Sequence, residues 1–96
     1  MVAINLSLQV IPKVDGDVYA VVDHAIQVIQ ESGVKYEVGP METTMEGELD
    51  VLLEIVKKAQ DACIAAGATR VMTIVKIDYV PGGVTIGEKI NKYRNT

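Results

Sequence analysis

Val2-Ala3-Ile4-Asn5-Leu6-Ser7-Leu8-Gln9-Val10-Ile11 alternates without a break. Val2, Ile4, Leu6, Leu8 and Val10 point one way, and Ala3, Asn5, Ser7, Gln9 and Ile11 the other. A period of two is that of a β-strand, and one wholly apolar side is a face that other elements must cover. Pro12 has no N–H to give a ladder and is expected to end the strand.

Outward from this strand, Asp15-Gly16-Asp17 reads as a turn with a helix N-cap. Val18, Tyr19, Val21, Val22, Ala25, Ile26 and Ile29 then recur at helical spacing, and Gly33 follows as a stop. Asp23, His24, Gln27, Gln30 and Glu31 form the polar back of this helix. Residues 34–39 predict a second strand, with Val34, Tyr36 and Val38 on one face, broken at Gly39-Pro40. Residues 43–48 predict a third, returning from a hairpin. A second helix spans 50–66 and stops at Gly67; a fourth strand spans 70–80 and turns at Pro81-Gly82-Gly83. Thr85 and Glu88 have capping-box spacing, so a short last helix runs to about residue 94. The order β-α-β-β-α-β plus a C-terminal helix predicts one α+β domain over 1–96. Its fold is ferredoxin-like, a four-stranded antiparallel sheet with both long helices on one face.

The chain has 96 residues, 9 Lys and Arg against 13 Asp and Glu, and hence a net charge of −4. Such a chain is a poor general binder of nucleic acid and suits a cationic or neutral ligand. Its one cysteine, Cys63, excludes an intrachain disulfide and fits a reducing compartment. With no basic-apolar leader and no membrane-length apolar run, the cytoplasm is the expected location.

Two surfaces predict association. On the second helix, Leu49, Leu52, Leu53, Val56 and Cys63 form one apolar stripe, and Val51, Ile55, Ala62 and Ala66 a second. Together they span an arc on the order of 200°, against the ~100° that a two-layer domain needs, so the second stripe is expected to meet another subunit, the alternative being a broad core contact under a long loop. The fourth strand puts Val71, Thr73, Val75, Ile77 and Tyr79 on one face. The opposite face is mixed, with Met72 and Ile74 in its middle, as if a second sheet packs there.

Catalytic chemistry has few candidates. His24 and Cys63 lie on different helices, the first on a polar back and the second in an apolar stripe. There is no Cys/His cluster for a metal, and Asp15 and Asp17 read as turn and cap. Gly82-Gly83 has no following Lys-Ser/Thr and reads as a tight turn rather than a phosphate loop. Lys89, Lys92 and Arg94 read as a solvated surface. The informative stretch is 35–48, with hydroxyls, carboxylates, two glycines and a proline where a hairpin meets a helix. If the third strand reaches Glu48, then Glu46 and Glu48 face the same way. Gly47 between them would admit a ligand or a second backbone. The alternative is a plain hairpin whose acidic residues favour the N-terminus of the second helix.

At this stretch the sequence resembles the small thiamine-binding proteins, a family formerly grouped as uncharacterised. The likeness is carried by Tyr36-Glu37-Val38-Gly39-Pro40, by Thr43 with Glu46-Gly47-Glu48, and by Arg70-Val71 leading to Lys76-Ile77-Asp78-Tyr79. Glu88-Lys89-Ile90 and Tyr93 also fit. Glu42 departs from the pattern, where many members carry a small residue, and a long acidic side chain there narrows the loop or changes the ligand. The resemblance implies a ferredoxin-like fold, dimers or tetramers, and a bound thiamine or its hydroxymethylpyrimidine part, with no cofactor required. Thiamine's cationic thiazolium would be met by Glu46, Glu48 or Asp78. Its aminopyrimidine would be met by Ser7, Gln9, Thr43 and backbone near Gly39, with Tyr36 either against a ring or in the core.

The expected function is thus non-catalytic small-molecule binding by a homo-oligomer, a tetramer of two dimers, with no nucleic-acid or membrane partner. The competing expectations are a structural or regulatory oligomer that acts through protein contacts, and an enzyme of the small ferredoxin-like type.

Overall fold

The computed structural model describes residues 2–94. Strands β1 (Ile4–Lys13), β2 (Lys35–Val38), β3 (Thr43–Gly47) and β4 (Arg70–Asp78) form one antiparallel sheet in the order β2-β3-β1-β4. Helices α1 (Val18–Glu31) and α2 (Leu49–Ala65) cover one face, and α3 (Ile86–Arg94) crosses part of the other. This is the ferredoxin-like α+β arrangement that the element order predicts.

β1 does not stop at Pro12. It pairs with β4 from Asn5↔Asp78 to Lys13↔Arg70, but with β3 only from Ile4↔Gly47 to Leu8↔Thr43. The Lys13 carbonyl turns toward β4, where it accepts from Thr69 N–H at 2.9 Å. By alternation the Pro12 nitrogen faces the opposite side, where β3 has already ended. A proline there forfeits no ladder bond, and the strand runs through it.

The inner face holds Ile4, Leu6 and Leu8 of β1 and Met45 of β3, all buried. α1 lays Val21, Ala25 and Ile29 on them, and α2 adds Leu52, Ile55, Val56, Ala59 and Cys63. Each large side chain so buried contributes roughly 1.5–3 kcal/mol. α1 begins where Asp17 accepts from Tyr19 N–H at 2.9 Å and ends before Gly33, whose φ of 84° only glycine adopts without strain.

α2 departs from the two-stripe expectation. Ile55 is 4% exposed and belongs to the core, whereas Leu53 and Val51 are exposed. The helix is rotated so that 52, 55, 56, 59 and 63 form a single inward stripe, and Ile55 is not available to another subunit. β3 also ends sooner than expected. Glu48 is the N-cap residue of α2 rather than a strand residue, so Glu46 and Glu48 do not share a face. A Cβ on Gly47 would lie 3.2 Å from Leu52 and 3.6 Å from Val34. That glycine admits core side chains, not a ligand.

After β4 the chain turns back through Gly83, and Val84 N–H donates to the Ala3 carbonyl at 3.0 Å. This carries α3 to the outer face, where Ile86 is buried. The Ile86 N–H donates to Glu46 Oε1 at 2.6 Å, and the Glu88 N–H donates to Thr85 Oγ1 at 3.1 Å. Thus Thr85 caps as expected, while an acid from the sheet serves the first turn. Lys89 and Arg94 are not merely solvated: they pair with Asp78 at 2.6 Å and Glu37 at 3.3 Å. A nine-residue helix is marginal alone in water, and exposed ion pairs add only about 0–1 kcal/mol each. Ile86 burial and the Glu46 contact are therefore what dock it.

Truncating Ile55 to alanine should cost about 2–5 kcal/mol in denaturant unfolding. Val51→Ala, on the exposed side of the same helix, should change stability by no more than about 0.5 kcal/mol. Equal losses would mean that the exposed side of α2 is covered in solution.

Candidate functional site

The β2–β3 hairpin closes in four residues. Gly39 N–H donates to the Glu42 carbonyl at 2.9 Å, and a Cβ on Gly39 would sit 2.8 Å from that oxygen, so only glycine fits. The tight closure throws the Glu42 side chain over the outer face of β1. There its Oε2 accepts from the Ser7 hydroxyl, and its Oε1 accepts from Lys76 Nζ at 2.9 Å. Ser7 and Lys76 are directly opposite one another on β1 and β4.

Between this contact and α3 lies a cleft made of two adjoining hollows of about 210 and 300 Å³, which share Asn5, Glu42, Thr44 and Lys89. Asn5 and Ser7 form its floor, Ile86 and Ile90 one wall, and Lys76 and Asp78 the other side. Asn5 is 3% exposed. Its Nδ2 donates to the Val84 carbonyl at 3.3 Å, but its buried Oδ1 has no partner among the described residues. An unpaired buried amide oxygen costs on the order of 1–3 kcal/mol.

Electrostatically the cleft is an interleaved set. Glu37, Glu42 and Asp78 face Arg94, Lys76 and Lys89, and each basic group rests on one carboxylate. The Ser7 hydroxyl, and then the Lys76 ammonium, hold the Glu42 carboxyl below its ordinary value of 4.5, outweighing the desolvation that pushes it up. Among the described residues no group of His, Cys, Asp and Glu could hold a metal ion.

The structure divides the predicted site residues. Ser7, Glu46 and Asp78 share the outer face, although Glu46 is taken up by the α3 N-terminus. Gln9 and the buried Thr43 line a different groove of about 300 Å³ between α1 and the hairpin, where Val22, Ile26 and Met41 make the walls apolar. Gly39 serves the hairpin and borders both spaces. Tyr36, opposite Met45, packs against the core. Glu48 lies at the far end, beside Val2 and Tyr79. The residues missed are Asn5, Thr44, Lys76, Lys89, Glu37 and Arg94. Asn5 and Thr44 could have been found from the period of two that puts Asn5 beside Ser7 and Thr44 beside Glu46. The α3 contributions carry no such signal, since strand alternation does not say which face a terminal helix crosses.

Comparison with known proteins adds a lineage to this geometry. A sequence profile described as thiamine-binding protein matches residues 6–94. A UPF0045 protein of Clostridium perfringens (strain 13 / Type A) is 63% identical over 91 residues, 94% of this chain and 96% of that one. The solved structure of a domain of unknown function, DUF77, from Bacillus cereus superposes with a TM-score of 0.94 at 58% identity, covering 98% of this chain and 92% of that one. A candidate thiamine biosynthesis/salvage protein from Thermotoga maritima superposes with a TM-score of 0.88 at 42% identity, covering 96% and 99%.

A carboxyl whose pKa is depressed by folding stabilises the fold above its ordinary pKa and loses that contribution as pH falls through the depressed value. Glu42→Gln should therefore melt below the parent near pH 7, and the gap should close as pH falls below the ordinary carboxyl value and through the depressed one. A gap that stays constant in thermal melts over this range would show that the charge of Glu42 contributes nothing.

Proposed function

Because the chain belongs to the thiamine-binding protein family, we propose that it is a non-catalytic binding protein for thiamine or its hydroxymethylpyrimidine half, held in the cleft between the outer sheet face and α3. The observation that carries this reading is the cleft's lining, in which Asn5, Ser7 and Thr44 of the outer sheet face stand beside the carboxylates of Glu37, Glu42 and Asp78. An aminopyrimidine offers an amino donor next to ring-nitrogen acceptors, which suits a lining that holds both hydroxyls and carboxylates. The thiazolium cation finds Asp78, Glu42 and Glu37 along the walls. The name of the Thermotoga maritima protein supports the same ligand class.

A binding role also fits the residues that chemistry would need. Burial pushes the Cys63 thiol up, away from the reactive thiolate, and His24 is exposed on the far side of α1. Neither borders the cleft.

The working form is a homo-oligomer. Ile11, Met72 and Ile74 are exposed side by side on the outer face, Ile11 directly opposite Met72 and Gln9 opposite Ile74. α3 leaves this half of the sheet bare, and a second copy laid there would bury the patch and wall the open side of the cleft. A tetramer adds a second surface, for which Leu53 and Ile64 on α2 are exposed candidates, in place of Ile55. Cytoplasmic location is part of the same proposal, and no described helix is long and apolar enough to cross a membrane.

Isothermal titration with thiamine and with hydroxymethylpyrimidine tests the reading. Both should saturate, and Asp78→Asn should weaken thiamine by about tenfold or more while leaving the uncharged pyrimidine nearly unchanged. No heat from either ligand would shift the role to protein contacts. In light scattering, Ile74→Lys should lower the mass of the parent oligomer; an unchanged mass would place the interface elsewhere.

A further inference from the structure

We propose that Ser7 and Lys76 form an anion seat which Glu42 occupies from within, so that the cleft takes the cationic, unphosphorylated thiamine-type ligand and refuses its phosphate esters. The ligand part of this rests on the reading above; the seat does not.

The seat belongs to the framework. Ser7 and Lys76 stand opposite one another on β1 and β4, the two most extensively paired strands of the sheet. The hydroxyl and the ammonium meet different oxygens of one carboxylate. Two donors on two oxygens of one anionic group is an arrangement by which proteins hold carboxylates, which are planar, and phosphates, which are tetrahedral. The occupant belongs to a loop. Glu42 is delivered by the four-residue hairpin closure and has no other side-chain partner among the described residues. Removing it strips no apolar contact from the core and leaves both donors in place.

The seat lies inside the cleft, next to Asn5 and Asp78. With Glu42 present, every basic side chain lining that space already rests on a carboxylate: Lys76 on Glu42, Lys89 on Asp78 and Arg94 on Glu37. An incoming phosphate must either displace one of these acids or lie beside them, and like charges at contact distance disfavour both. The acids are paired as well, so what the filled seat withholds is specific to an anion: the two donors that a phosphate would need. The residue that fills the seat is therefore the residue that decides whether a phosphate finds donors there.

The test uses the full chain and its Glu42→Ala variant, titrated with thiamine, thiamine monophosphate and inorganic phosphate. The parent should bind thiamine about tenfold or more tighter than the monophosphate and should show no thermal stabilisation by inorganic phosphate. In Glu42→Ala the preference should fall below about threefold or reverse, and inorganic phosphate should raise the melting temperature. Adding Lys76→Met to that variant should abolish the phosphate effect. Thiamine binding with the same preference in parent and variant, and no phosphate effect, would overturn the seat and leave the proposed function standing. Phosphate stabilisation of the variant with no thiamine binding by the parent would keep the seat and overturn the proposed function.

Discussion

The structure depends on a central strand whose first half is covered on both faces. β1 lies between β3 and β4, and its even-numbered residues Ile4, Leu6 and Leu8 lie under the two long helices. Its odd-numbered residues Asn5 and Ser7 are buried as well, beneath the turn at Val84, the α3 helix and the Glu42 side chain. Apolar residues satisfy the first face by packing alone. The second face buries polar groups, and each such group needs a partner. Nδ2 of Asn5 and the Ser7 hydroxyl have one; among the described residues the Asn5 oxygen does not. The same constraint that makes β1 the spine of the fold thus creates a polar, incompletely satisfied floor.

Most of the fold is legible in the sequence because its signals are local. Alternation in β1, the Asp17 cap and the glycine after α1 each act within a few residues. Where the reading fails, the deciding partner is remote in sequence. Pro12 looks like a strand end until the neighbour on its nitrogen side is known to stop at Thr43. Ile55 looks like the edge of a second stripe until the rotation of α2 against β1 is known. Gly47 looks like a ligand approach until Leu52 and Val34 are found against it.

The site follows the same division. Ser7 and Asp78 are legible because strand alternation puts them on the outer face. Glu46 and Glu48 carry the same chemistry in the sequence, yet one holds the start of α3 and the other begins α2. What separates them is a single residue of strand length. The basic residues of α3 look like solvated surface, because nothing within that helix records that Asp78 and Glu37 lie across from it.

The proline within β1 bears on how the sheet meets other chains. Beyond Leu8 the strand has an open flank on the side that β3 has left, and residues 10 and 12 turn their backbone groups toward it. With an ordinary residue at 12, that flank would offer two N–H donors in register, a short template onto which a foreign strand could zip. Pro12 deletes one of them and sets its ring in the way. The interruption is placed where it costs the native ladder nothing and denies an intruding one its second bond, so the flank is guarded against strand capture while the flat outer face stays free for association.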